Sequence, residues 1–209
     1  GLVGIVFLAV IAKQQGISLR TRYPGMHVWR SAVGVLSLGS WFYAIAHLPL
    51  ATAMTLNYMS GVWVAAFLVG GALINWNPQD GQSAWSQGPL AITVLTGFAG
   101  VVMMLRPTIE QNQIFAGLIG LLSGFIAAFA FMQVMALARV GEPEARTVFY
   151  FAIGTAVAGG AVMLFEGVTP WDWHHAMWLL PVGVFASLGQ LCLTRAYSQG
   201  ATLVVANLQ

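Results

Sequence analysis

From residue 31 to residue 79 the chain carries no Asp, Glu, Lys or Arg, a run of forty-nine residues bounded by Arg30 and Asp80. A water-soluble domain needs charge on its outer face, and this run offers none. Further uncharged windows cover 81–105, 111–138, 147–165 and 173–194. Each can cross ~30 Å of hydrocarbon, which takes about 20 helical residues. Composition agrees, with 58% hydrophobic and 7% charged residues and a mean hydropathy of +0.79, far from soluble usage. Lipid offers no partner to a stray backbone N–H or C=O, and the windows lack the alternation of barrel strands. The chain therefore reads as an all-α integral membrane protein. Cys192 is the single cysteine, so no intramolecular disulfide framework is available. The pI near 9.0 comes from loop arginines and not from a nucleic-acid surface.

The expected spans are 1–12 (partial), 26–47, 50–74, 89–106, 114–138, 146–166, 174–197 and 201–209 (partial). Between them, 75–88 (NWNPQDGQSAWSQG) is a polar, Gly/Pro-bearing loop, and His47-Leu-Pro-Leu50 and Ser198-Gln-Gly200 are tight turns. The opening GLVGIVFLAVIAK lacks the basic start and small-residue cleavage site of a signal peptide, so it reads as a helix whose beginning is missing.

The segment 37–57 recurs faintly as 187–207. At an offset of 150 residues Ser37, Leu38, Gly39, Ala46, Ala51, Thr52 and Asn57 meet identical residues at Ser187, Leu188, Gly189, Ala196, Ala201, Thr202 and Asn207, without a gap. About two matches are expected by chance in so apolar a background. A repeat of this length is too long for a solenoid unit and suits the internal duplication of secondary transporters. Each span then demands a counterpart 150 residues away. That predicts two five-helix repeats, 1–109 lacking its first helix and 110–209 lacking its last helices. Five is odd, so the second repeat must be inserted upside down, giving a ten-helix inverted-repeat bundle.

Basic residues gather on the cytoplasmic side of short loops. Lys13, Arg20, Arg22, Arg30, Arg139, Arg146 and Arg195 fall on one face by span counting, against Arg106 alone on the other. The acidic and aromatic segment 166–175 is then outside, with Trp171, Trp173 and Trp178 as interfacial anchors.

Four stretches carry a resemblance to a known family: His47-Leu-Pro-Leu-Ala-Thr-Ala-Met54 after an aromatic-rich helix; Gly97-Phe-Ala-Gly-Val-Val-Met-Met-Leu-Arg-Pro107; Arg139-Val-Gly-Glu-Pro-Glu144 followed by Phe149-Tyr-Phe151; and Gly189-Gln190 with Leu193-Thr-Arg-Ala-Tyr197. In order and spacing they resemble the EamA-type permeases of the drug/metabolite transporter (DMT) superfamily across essentially the whole chain. One departure is the stretch 69–75, which carries no acid where that family often has a Gly-Glu. The resemblance implies a ten-helix secondary transporter of the bacterial inner membrane that moves small metabolites, such as amino acids, by alternating access, with export the expected direction. It implies a small-molecule substrate and a lipid bilayer as partners, with no cofactor, no metal and no nucleic acid.

Several polar side chains in the spans are candidates for substrate contact. Arg195 is expected within 174–197, where a guanidinium can grip a carboxylate in bidentate geometry; one turn from a helix end, it can equally snorkel to headgroups. Asn57 and Asn207 occupy matched repeat positions, and an inverted duplication would set them about a pseudo-twofold axis near the midplane, where transporters bind substrate. Asn also serves plain helix–helix hydrogen bonding. Tyr58, Tyr43, Trp41 and Gln190 complete the candidate set, with Trp63, Phe125, Phe129, Tyr150 and Tyr197 as further aromatic wall or simple packing. Gln133 reads as helix–helix glue, and the many glycines as close-packing positions.

The rival reading is a membrane-embedded structural or receptor-like protein, or a membrane enzyme. For an enzyme, Asp172, His174 and His175 are the best residues available. Adjacent histidines point to different sides of a helix, and no HExxH or GxSxG string supplies a base or nucleophile. No Asp or Glu lies in the spans to couple transport to protons, which leaves a facilitator or a coupling group elsewhere.

Overall fold

A computed structural model of the chain describes residues 1–74, 88–105, 110–167, 173 and 177–207. Among these the regular structure is entirely helical: α1 (Leu2–Gln14), α2 (Pro24–His47), α3 (Leu50–Ile74), α4 (Gly88–Leu105), a 3-10 turn (Gln111–Gln113), α5 (Ile114–Arg139), α6 (Glu144–Glu166), α7 (Leu179–Gln199) and α8 (Thr202–Asn207). Three of them, Ile114–Arg139, Glu144–Phe165 and Leu179–Gln199, are long and apolar enough to cross a membrane, by length and composition among the described residues. At 1.5 Å per residue, α2 and α3, of 24 and 25 residues, also exceed the hydrocarbon thickness. Large apolar side chains stand exposed along these helices, among them Leu164, Phe165, Phe185 and Met103. A bilayer, unlike water, solvates such a surface at no cost.

Helix ends follow local chemistry. Pro49 has no N–H to continue a ladder, so α2 stops at His47 and α3 begins at Leu50. The second expected turn is corrected: Ser198 and Gln199 remain helical, and the break falls at Gly200–Ala201. The two interruptions thus lie at nearly equivalent positions of the sequence repeat. The span expected from 174 begins instead at Leu179, after a turn at Met177–Trp178, while 174–176 lie outside the described residues. So do 75–87 of the polar loop, together with Arg106, Trp171 and Asp172. Trp173 and Trp178 are exposed.

Two helices end in the same glycine motif. After α1, Gly16 (φ +66) donates to Lys13 O at 3.2 Å and Ile17 N to Ala12 O at 2.8 Å. After α5, Gly141 (φ +79) donates to Ala138 O at 3.0 Å and Glu142 N to Leu137 O at 3.1 Å. These are Schellman closures, which need a left-handed residue and therefore glycine.

The chain forms two compact units, Gly1–Val35 with Gln133–Gln199, and Leu36–Met132 with Gly200–Gln209. Each draws on both 1–109 and 110–209. In the first, α1 packs on α6 and α7, and α6 on α7, around Leu8, Val148 and Ala152. Small residues permit the approach: a Cβ on Gly4 would lie 2.7 Å from Ser187 Oγ, and one on Gly154 2.7 Å from Ser31 Cβ. In the second unit, α3 packs on α4 and α8, and α4 on α8. Ala44, Leu48, Ala53 and Ala116 form its small-residue core. A Cβ on Gly124 would meet the Leu56 carbonyl oxygen at 2.8 Å. The buried Ser37 hydroxyl donates to Ser123 O at 2.9 Å.

Candidate functional site

The polar cluster of the first unit is built from the Schellman end of α5. Gly141 turns the chain and Pro143 starts α6, which leaves Glu142 between two helices with its side chain only 3% exposed. A lone carboxylate at such a place is costly, and three donors offset the cost. Arg146, in the first turn of α6, donates from Nη1 to Oε2 at 2.9 Å, the Thr21 hydroxyl donates to Oε1 at 2.9 Å, and His27 Nε2 lies 3.2 Å from Oε2. Burial on its own would raise the pKa of this carboxyl, but the hydrogen bonds from Arg146, Thr21 and His27 outweigh it and hold Glu142 below the ordinary carboxylate value.

Arg146 and Tyr150 also tie down the α1–α2 connection. Arg146 Nε donates to Ser18 O at 2.8 Å, and the Tyr150 hydroxyl to Leu19 O at 3.1 Å. At the far end of α7, Ser198 Oγ and Gln199 Nε2 donate to Glu144 Oε1 at 3.1 and 2.7 Å. The basic loops assigned to one face by charge counting therefore meet around two glutamates.

One turn further along α2, Arg30 is buried, 4% exposed. Its guanidinium carbon stands 4.6 Å from the centroid of the Phe151 ring. Among the described residues its Nε and Nη1 find no hydrogen-bond partner, and neither does His27 Nδ1. Gly34 makes the space, since a Cβ there would collide with Arg30 Nη1 and approach the Phe151 ring to 2.7 Å. Glu142, the nearby acid, is already engaged, and Arg30 has no carboxylate partner among the described residues. Sequence reasoning counted Arg30 only as a marker of the basic face. The available signal was its place inside the span 26–47, three residues after a histidine.

The other candidates divide between the units. Arg195, in the first unit, is exposed and its Nε lies 3.4 Å from Gln199 Oε1. Gln190 is half-buried on the same helix. In the second unit, Asn57 and Tyr58 are half-buried on α3. That helix packs against α8, which carries Asn207; the Asn207 side chain lies outside the description. Tyr43 stacks on His47 at 4.1 Å. Trp41 is half-buried with its Nε1 unpartnered among the described residues, as is Trp63, whose ring meets Phe125 edge-on at 5.2 Å. Phe67, Phe125 and Phe129 continue that aromatic group. Gln133 Oε1, in the first unit, also has no partner among the described residues. Among the described residues no group of three His, Cys, Asp or Glu side chains could hold a metal ion; His174 and His175 fall outside them.

No family model matches the chain. It is 30% identical over 204 residues to the pseudopaline exporter CntI of Pseudomonas aeruginosa strain UCBPP-PA14, covering 98% of this chain and 68% of that one. It is 25% identical over 194 residues to a riboflavin transporter of Rhizobium johnstonii, covering 92% of this chain and 60% of that protein. It is 25% identical over 201 residues to an S-adenosylmethionine uptake transporter of Rickettsia prowazekii, covering 93% and 62%. A crystal structure 19% identical in sequence superposes with a TM-score of 0.72 over 99% of this chain and 70% of the other, a likeness of fold.

Proposed function

The chain belongs to the family of membrane transporters that includes the pseudopaline exporter CntI, and from that premise we propose that it is part of a secondary carrier exporting small metabolites, amino acids or related compounds, by alternating access. The finer assignment is to the EamA-type DMT permeases, with two inverted five-helix repeats set in the bacterial inner membrane. The observation that carries the reading is the set of polar atoms inside apolar helices that find no partner among the described residues: Nε and Nη1 of Arg30, Nε1 of Trp41 and Trp63, and Oε1 of Gln133. A polar group in a membrane helix normally finds a partner in the protein, and one that does not marks a substrate path. Asn57 and Asn207, on helices that pack together, are proposed as substrate contacts of the second unit.

The test is uptake and counterflow of a labelled amino-acid and metabolite panel in proteoliposomes of the full-length protein, with and without a proton gradient. Saturable, competitor-sensitive flux is expected. A folded protein that moves no solute of the panel beyond empty liposomes would remove the reading.

A further inference from the structure

We propose that the α1–α2 connection, together with the turn between α5 and α6, forms a docking surface for anionic phospholipid headgroups. The inference goes beyond the carrier reading and needs no particular substrate. It starts from the charges at one end of the first unit, where hydrogen bonds join the α1–α2 connection, the start of α6 and the end of α7. Two acids at this end are already engaged. Glu142 pairs with Arg146 at 2.9 Å, and Glu144 accepts from Ser198 and Gln199 in the field of Arg195. Lys13, Arg20, Arg22 and Arg139 are exposed and make no ion pair among the described residues.

The surroundings of these cations are those of a lipid headgroup layer. Along α1, Leu2, Val6 and Val10 stand exposed at every fourth residue, and Lys13 ends that apolar stripe one turn further on. Residues 17–22 then alternate, with Ile17, Leu19 and Thr21 half-buried and Ser18, Arg20 and Arg22 exposed. The inner side is fastened: the Thr21 hydroxyl donates to Glu142 Oε1 at 2.9 Å, and Leu19 O accepts from the Tyr150 hydroxyl at 3.1 Å. Arg20 and Arg22 are therefore held on the outer side. Tyr23 and, early in α2, Trp29 are exposed beside them, and these ring types gather where hydrocarbon meets headgroups. Arg139 closes α5 three residues before the glutamate that Thr21 reaches, which brings it to the same rim. An apolar stripe that runs into a row of unpaired cations matches a phospholipid, with acyl chains along the first and phosphate oxygens on the second. A nucleic acid or an acidic soluble protein would answer the charge and leave the stripe uncovered. A zwitterionic lipid brings its own cation, which this row repels, so the headgroup must carry net negative charge.

The experiment is thermal unfolding of the full-length protein in a nonionic detergent, titrated separately with dioleoylphosphatidylglycerol, dioleoylphosphatidylcholine and glycerol phosphate. Phosphatidylglycerol is expected to raise the midpoint saturably, and the other two to give no comparable shift. When Arg20→Gln and Arg22→Gln are combined, the half-effective fraction of phosphatidylglycerol should rise about tenfold or more, since each cation near an anionic surface strengthens binding by a factor of about five. The midpoint of this variant in phosphatidylcholine should match that of the parent, because exposed side chains without partners leave no broken contact behind. Arg139→Gln alone should raise the half-effective fraction about fivefold, and it decides should the double variant fail to fold. Equal shifts with the two lipids, a shift with glycerol phosphate as large as that with phosphatidylglycerol, or an undiminished response in the variants would each overturn the surface. Flux plays no part in this readout, so failure of the carrier reading and failure of the surface are told apart.

Discussion

Arg30 holds its guanidinium carbon 4.6 Å from the centroid of Phe151, a ring one helix away on α6. Cation and ring are both buried, at 4% and 8% exposure, so the attraction is little screened. We expect Phe151→Leu to destabilise the protein by about 2 kcal/mol, and by about 1 kcal/mol less when Arg30 is already Met. A double-mutant cycle from thermal unfolding in detergent reads the difference. Equal losses in both backgrounds would mean that the ring only fills space.

Gly141 places Glu142. At φ +79 a side chain is strained whatever room surrounds it, so Gly141→Ala should cost about 1–2 kcal/mol. The same change should loosen the Thr21 and Arg146 contacts to Glu142, seen as faster amide exchange at residues 18–21. Unaltered exchange there would detach the turn from the network.

Glu142 accepts from Arg146, Thr21 and His27. Removing its charge leaves these donors facing a weaker acceptor, and Glu142→Gln should cost about 3 kcal/mol, whereas Thr21→Val should cost about 1 kcal/mol. The carboxyl titrates lower in the folded protein than its ordinary value. Its contribution is therefore complete above the unfolded carboxylate pKa of about 4.3 and is lost as pH falls through the lower folded value. Stability plotted against pH should be shallower in Glu142→Gln through that acid window. Parallel curves would refute the assignment.

Glycine spacing predicts a contrast. A Cβ on Gly124 would stand 2.8 Å from the backbone oxygen of Leu56, while one on Gly39 meets nothing within 4 Å. Gly124→Ala should destabilise by about 1–3 kcal/mol, and Gly39→Ala should be neutral or stabilise by up to about 1 kcal/mol. Unfolding midpoints of the two variants decide, and similar values would show that α5 can slide away from α3.

In the proposed carrier, Asn57→Ala should lower flux about tenfold or more at unchanged membrane abundance. Arg195 is exposed and within reach of Gln199, and Arg195→Lys should leave flux close to the parent level. Proteoliposome rates normalised to protein test both. A large loss in Arg195→Lys with Asn57→Ala intact would exchange their proposed roles.

Helix positions were largely legible in the sequence because hydrocarbon imposes length and apolarity on each span, and Pro49 punctuates independently of packing. The span boundaries at 50–74 and near 114–139 needed nothing more. The start of α7 was less legible, since the uncharged stretch 173–178 before Leu179 carries no Ser, Thr, Asp or Asn to cap it. The polar residues resisted for another reason. Arg30 and Arg195 both lie within a couple of turns of a helix end, and charge counting treats them alike. The structure buries the first against Phe151 and leaves the second exposed.

By itself the sequence determined the solvent, the helical class, the approximate spans and the helix break at Pro49. These are consequences of apolar runs too long for water and of backbone groups that lipid cannot satisfy. Only the tertiary structure decided which polar groups are paired. Glu142 could have met any of several cations, and the turn at Gly141 with the return of residues 18–21 gave it Arg146, Thr21 and His27. Among the described residues Arg30 was thereby left without an acid. Pairing depends on distances between segments more than a hundred residues apart, and periodicity along one helix carries no record of them.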